Sequence, residues 1–379
     1  MHEKKKKGIQ IVILIILLFT MLGMALPIGQ GWFIMEREEA WDWHWVIETG
    51  KYEDISFIDE DLLAVKNETG KYAIADRKGK LLTPFKYDNI SGYNQGLAVV
   101  CIDGVCQYID RNFEAAIEGD FEAAGAFCDG LAAVKKNGKW GYINKEGIFE
   151  IECQFEEAGS FSCDRAVVKI GDGWNFIDRT GTCIAEENYE ALRNFSQSMA
   201  AAKKNGKWGF IDIANEVSVD FLYDEVGNFS EDVAAVKVIE DGLPMCAYIN
   251  CLGEIEIDYQ ICYGVEGRMD YIGDFQEGIA FISKDVYCAI DKSGAVLCGD
   301  NTEFFISDCI YYSELGVIPG YVYVDEAMTI RKYGLMDDEG KARLEPVFDY
   351  VGEVNGNYVI VETWVDGEYQ KGIIELEIW

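Results

Sequence analysis

Two histidines, His2 and His44, are the whole imidazole inventory of this 379-residue chain. His2 precedes a basic cluster and His44 lies between Trp43 and Trp45, so neither sits in a nucleophile or metal-ligand pattern. Ser–His and Cys–His catalysis and His-based metal sites are therefore not expected. No glycine-rich loop leads into a helix, which removes phosphate cradling. Carboxylates are abundant, and a two-carboxylate glycosidase is compatible with composition. One recurring set, Asp110, Asn144, Asp178 and Asp212, follows an aromatic–Ile pair and precedes a turn, where a side-chain oxygen takes backbone N–H groups. Trp140, Trp174 and Trp208 have the chemistry of a sugar-stacking platform, but a residue repeated in unit after unit reads as core. The expectation is no catalytic residue, no cofactor and no metal.

The positions that recur impose the elements. The stretch KKNGKWGYIN at Lys135 to Asn144 returns as KKNGKWGFID at Lys203 to Asp212, and KIGDGWNFID at Lys169 to Asp178 lies midway. The period is 34, within the range that marks a repeat architecture. Asp76, Asp110, Asn144, Asp178 and Asp212 keep this spacing, as do the aromatic residues Tyr93, Phe127, Phe161, Phe195 and Phe229. A second aromatic column is Tyr87, Phe121, Phe155, Tyr189 and Tyr223; later copies stretch. Each unit reads as four short antiparallel strands: LAAVKK, a hairpin at Asn137–Gly138, KWGYIN, a turn at KEG, IFEIE, and FEEAG from Phe155.

The first two strands are apolar on both faces, whereas a solenoid coil has one wet face. Stacked propeller blades cover both. Gly141 and Gly209, opposite the Trp side chains, are expected to admit a neighbouring blade. The chain closes with two strands from Asn355, while YEDI at Tyr52 to Ile55 and WDWHWVI from Trp41 supply partial strands at the start. The expected fold is an all-β propeller of about eight to nine blades, closed by a composite blade from both termini; the alternative is a β-solenoid.

The phrase GLAAVKKNGKWGYINKEG resembles the WG (KWG) repeat family of bacterial proteins over about residues 52 to 375. The Trp column departs at Tyr72, Cys106, Tyr287 and Tyr333, and full Trp–Gly pairs survive at Trp140–Gly141 and Trp208–Gly209. The resemblance implies a repeat scaffold for binding and carries over no catalytic residue.

Lys4 to Lys7 followed by an uncharged stretch from Ile9 to Leu26 predict a membrane anchor, residues 1–26, that leaves the bulk of the chain outside the membrane. A cleaved signal peptide is the competing reading. Residues 27–51 read as a connector with an outer strand. Outside the anchor the chain keeps 29 basic and 66 acidic side chains, a net of −37, which repels nucleic acid. Among twelve cysteines, Cys101 and Cys106 face one another across an Asp103–Gly104 turn and form a candidate disulfide. The functional expectation is a membrane-tethered scaffold binding a protein or glycan at the cell surface, with contacts in insertions after residue 240, such as Val238 to Met245 and Pro319 to Tyr333. An envelope glycan hydrolase and a structural spacer are the alternatives.

Overall fold

The structure, a computed structural model, describes residues 40–258, 272–283, 287–298, 305–306, 315–325, 329–338 and 340–378. The expected anchor lies outside the described residues. No helix among the described residues is long and apolar enough to cross a membrane. The chain divides into two compact units, the larger spanning Ala40–Val322 and Lys332–Trp379. In the smaller unit, Asp325 accepts the Thr329 and Ile330 N–H groups at 2.8 and 2.6 Å and shapes a turn.

In the larger unit the strands assort into nine antiparallel sheets of three or four strands. Blade 3 shows the pattern: Ala123–Ala124, Ala132–Lys136, Lys139–Ile143 and Phe149–Phe155, hydrogen-bonded in chain order. Its two central strands meet at a two-residue hairpin in which Asn137 and Gly138 both have positive φ, 53° and 75°. Asn205 and Gly206 repeat it in blade 5, at 54° and 77°. Three of the five residues in each central strand of blade 3 are buried, because sheets pack against both faces.

Each pair of successive blades shares one apolar cluster. Tyr142, Phe161 and Ile177 join blades 3 and 4, and Phe210, Phe229 and Ile249 join blades 5 and 6. Nine such clusters serve nine blades, whereas an open stack of nine would have eight. The ninth joins Ile47, Ile360 and Ile373 of blade 9 to Ile55, Leu63 and Val65 of blade 1. The fold is therefore a closed nine-bladed β-propeller, not a solenoid.

Two sequence expectations about strand phase are corrected. FEEAG does not complete its own unit. After Phe155 a single residue, Glu156, separates the last strand of blade 3 from Glu157–Ala158, which pairs with Ala166–Ile170 in blade 4. The same offset resolves the closure. Tyr52 to Ile55 do not enter the composite blade; Asp54–Asp59 is the first strand of blade 1. The N-terminal contribution is Asp42–Ile47, which adds to Glu368–Glu377 beyond Tyr358–Val365 and Tyr350–Asn355. Blades 1, 4 and 7 have three named strands, with isolated bridges such as Ile177 to Cys183 and Ile272 to Ile282 standing for a fourth.

The seam also repeats a polar clasp found inside the ring. A cation after the Asp/Asn column reaches the preceding blade: Lys145 Nζ to the Gln95 carbonyl at 3.1 Å, Arg179 Nη1 to that of Asp129 at 2.9 Å, and Lys292 Nζ to that of Glu231 at 2.8 Å. Arg77 does the same across the seam, donating to Asn355 Oδ1 at 3.1 Å with its guanidinium 4.7 Å from the Tyr358 ring.

The insertions expected to form loops mostly lengthen hairpins. Val238 to Met245 fall within the paired strands Val233–Glu240 and Leu243–Ile249. The two ends of the Pro319 to Tyr333 stretch fall within Val317–Tyr323 and Arg331–Asp337, while residues 324–330 lie between these strands.

Candidate ligand cleft on blades 4 to 6

The repeated residues divide by role. Asp110 Oδ1 accepts the Asn112 and Glu114 N–H groups at 2.8 and 3.0 Å. Asn144, Asp178 and Asp212 do the same two and four residues on. These side chains are committed to their turns. The Thr180 hydroxyl and backbone N–H groups hold the Asp178 carboxyl below its ordinary range, and N–H groups led by that of Glu114 do so at Asp110.

The Trp column is half-buried rather than enclosed at blade interfaces. Trp140, Trp174 and Trp208 pack on the margins of their clusters. Two of them lie under the cross-strand lysine, Lys169 at 5.6 Å from the Trp174 ring and Lys203 at 5.9 Å from that of Trp208. In blade 2 this cross-strand pair is Cys101 and Cys106, joined by a disulfide with Cα atoms 4.0 Å apart. The enclosed interface residue lies two positions on. Tyr142 is 0% exposed, donates to the Gly159 carbonyl at 2.8 Å and meets the Phe161 ring at 4.8 Å. Gly141 also has a different neighbour from the one expected. A methyl there would meet the Ile151 carbonyl at 2.6 Å, and at Gly209 that of Val219 at 2.6 Å. Both belong to the last strand of the same blade, which bulges across the glycine.

Chemistry appears just before the aromatic column. The residues one position ahead of Tyr93, Phe127 and Phe161 are Gly92, Ala126 and Ser160. Ahead of Phe195, Phe229 and Phe275 they become Asn194, Asn228 and Asp274. One residue further back the column reads Ser91, Gly125, Gly159, Arg193, Gly227 and Gly273. All lie on or beside the first strand of their blades, so the ring brings them to a common edge. A cleft of about 410 Å³ opens there, lined by Glu157, Gly159, Trp174, Arg193, Asn194 and Asn228 among others.

The glycines are small because the next blade leans over them. A methyl on Gly159 would come within 2.8 Å of the Asn194 amide oxygen, and one on Gly227 would collide with the Asp274 carboxylate. Asp274 accepts from Asn228 twice, from its backbone N–H at 3.1 Å and from its side-chain amide at 3.4 Å. Its side chain is open to solvent, yet desolvation by surrounding protein pushes its pKa up. The Arg193 guanidinium lies 5.1 Å from the Trp208 ring. Among the described residues the Arg193 side chain has no ion-pair or hydrogen-bond partner, and the Asn194 side chain has no hydrogen-bond partner. Glu157, by contrast, is paired with Lys169 at 2.7 Å.

Sequence reasoning missed these residues because it looked for insertions. The available signal was a small-residue column that turns polar on three successive blades. Among the described residues no cluster of His, Cys, Asp and Glu is arranged to hold a metal ion.

These features define a repeat-built propeller, a fold that suggests a binding scaffold, with side chains varied on a constant frame. The chain belongs to the WG-repeat family: the family described as WG containing repeat matches residues 72–106, 108–140, 140–174, 176–208, 208–239 and 333–363. No curated protein matches the chain. Among solved structures it is similar to one titled as the eukaryotic initiation factor, with 13% identity, a TM-score of 0.54, and coverage of 84% of this chain and 94% of that one. A dipeptidyl peptidase 4 from Porphyromonas gingivalis matches with 10% identity and a TM-score of 0.46, covering 87% of this chain and 58% of the other. At these identities the first likeness speaks for the fold alone.

Proposed function

We propose that this protein is a non-catalytic binding scaffold, tethered by residues 9–26 with its propeller outside the membrane, that holds a surface ligand in the cleft on blades 4 to 6. The observation that carries the reading is Arg193 beside Asn194. Both are without polar side-chain partners among the described residues, at register positions filled by small residues in blades 2 to 4. A scaffold with no ligand has no need to replace glycine by arginine there. The hydrolase alternative is less well supported. Asp274 breaks the repeat as a catalytic acid would, but both of its oxygens are engaged by Asn228.

The test compares binding of the labelled full-length protein to isolated bacterial envelopes with that of an Arg193→Ala/Asn194→Ala variant. Saturable binding that falls at least tenfold in the variant, at unchanged thermal stability, is expected. Equal binding by both proteins would overturn the cleft as the site. Cleavage of the propeller by protease added to intact cells is the expected sign of the outward orientation.

A further inference from the structure

We infer that the cleft takes a uronate-bearing saccharide, with a sugar ring against Trp174 and its carboxylate on Arg193. This rests on the reading of the cleft as the ligand site and names its ligand class. The volume of about 410 Å³ lies in the range of small-molecule sites and suits one or two sugar rings.

Three side chains divide the recognition. Arg193 is the cation of its column, in a chain of net charge −34, and its stacking beside Trp208 fixes the guanidinium while leaving its donors unused. A planar guanidinium with free donors matches a carboxylate in bidentate fashion. Asn194 offers an unengaged amide, donor and acceptor together, which pairs with vicinal hydroxyls. Asn228 is oriented by its amide nitrogen, which donates to Asp274 and leaves the side-chain carbonyl oxygen as the remaining acceptor. Trp174, whose ring also carries Lys169 at 5.6 Å, contributes the apolar part of the lining for the C–H face of a sugar ring.

Charge selects among saccharides. A neutral sugar would leave the Arg193 donors unpaired on binding, a loss that buried polar groups make expensive. A phosphate monoester would carry more negative charge than a uronate toward the Asp274 carboxylate, which already feels Arg193. An acidic peptide could use Arg193 but would leave the hydroxyl-matching amides without an assigned task.

The experiment measures binding of digalacturonate, cellobiose and tetraglutamate to the full-length protein by saturation-transfer NMR and calorimetry. The variants are Arg193→Ala, Arg193→Lys, Asn194→Ala and Trp174→Phe, each checked for an unchanged melting temperature. Digalacturonate should bind at least tenfold more tightly than cellobiose. Arg193→Ala should abolish that preference, and Arg193→Lys should restore only part of it. Equal binding of cellobiose, lost in Asn194→Ala, would overturn the uronate inference while keeping a saccharide scaffold. Tetraglutamate bound in preference would overturn the saccharide class. If no probe binds while envelope binding still depends on Arg193 and Asn194, the uronate inference falls and the scaffold stands. If envelope binding is also indifferent to both residues, the cleft reading falls with it.

Discussion

Blades 2 to 4 and blades 5 to 7 answer the same structural demand with the same residues and then part company one residue earlier in the chain. In both groups a buried aromatic of one blade meets an aromatic of the next, Tyr108 on Phe127 at 4.9 Å and Tyr248 on Phe275 at 4.8 Å. The hydroxyls of Tyr108 and Tyr248 reach the carbonyls of Gly125 and Gly273, at 2.9 and 2.7 Å. The residue before that second aromatic is Ala126 in one case and Asp274 in the other. The contrast teaches where a repeat protein can vary: beside its interfaces, at positions whose side chains leave the sheet edge, and not within them.

The comparison breaks most visibly if the constant part is removed. Tyr142→Ala should cost about 3–5 kcal/mol, the usual loss for a fully buried aromatic. Trp140→Ala, half-buried two residues earlier, should cost clearly less. Tyr142→Phe should cost about 1 kcal/mol, since it orphans the Gly159 carbonyl, and Phe176 and Phe210 already occupy that column. Urea unfolding of the three variants checks the order. An equal loss for Trp140→Ala and Tyr142→Ala would mean that the tryptophan, not the tyrosine, anchors the blade interface.

A second break uses the glycines of the varied region. Gly227→Ala would press on the Asp274 carboxylate and should cost about 1–3 kcal/mol. Gly125→Ala, whose nearest neighbours would be the Ala133 carbonyl at 3.6 Å and its methyl at 3.9 Å, should stay within about 0.5 kcal/mol. If both substitutions are neutral, the next blade does not lean over this column and the cleft wall is differently shaped.

The contrast also explains what could be read from the sequence. The frame was legible because period, hairpin glycines and double-sided apolar strands repeat, and repetition averages out local noise. Ring closure was legible in kind, since partial strands at both ends had to find partners. Strand phase was not: Glu156 is an ordinary residue, and nothing in it announces that one extended run leaves blade 3 and enters blade 4. Trp140 was read as buried core from its size and recurrence, although recurrence marks a shared job and not its depth. The cleft was hidden for the opposite reason. Arg193, Asn194, Asn228 and Asp274 are single departures, each unremarkable until the ring places neighbouring columns on one edge.

The finest difference between the constant and varied regions is the sign of their response to acid. In the turns, Asp178 is held down chiefly by the Thr180 hydroxyl, Asp110 by the Glu114 N–H and Asp291 by the Ser293 hydroxyl. A carboxyl whose folded pKa is depressed contributes stability that is present above its unfolded value, about 3.9, and lost as pH falls through the folded value. Asp274 is shifted the other way by desolvation, so its contribution is present below about pH 4 and lost as pH rises through its folded pKa. Two variants separate the effects. Asn144 and Asn250 already fill the turn position, so Asp110→Asn/Asp178→Asn should keep the caps and lose less stability than wild type between about pH 5 and pH 3. Asp274→Asn should match or exceed wild type at pH 7 and lose that advantage as the pH approaches 4. Urea midpoints at pH 7, 5.5, 4.5 and 3 would show the crossing. If Asp274→Asn runs parallel to wild type throughout, the carboxylate is not desolvated, and its response to acid does not differ in sign from that of the turn carboxylates.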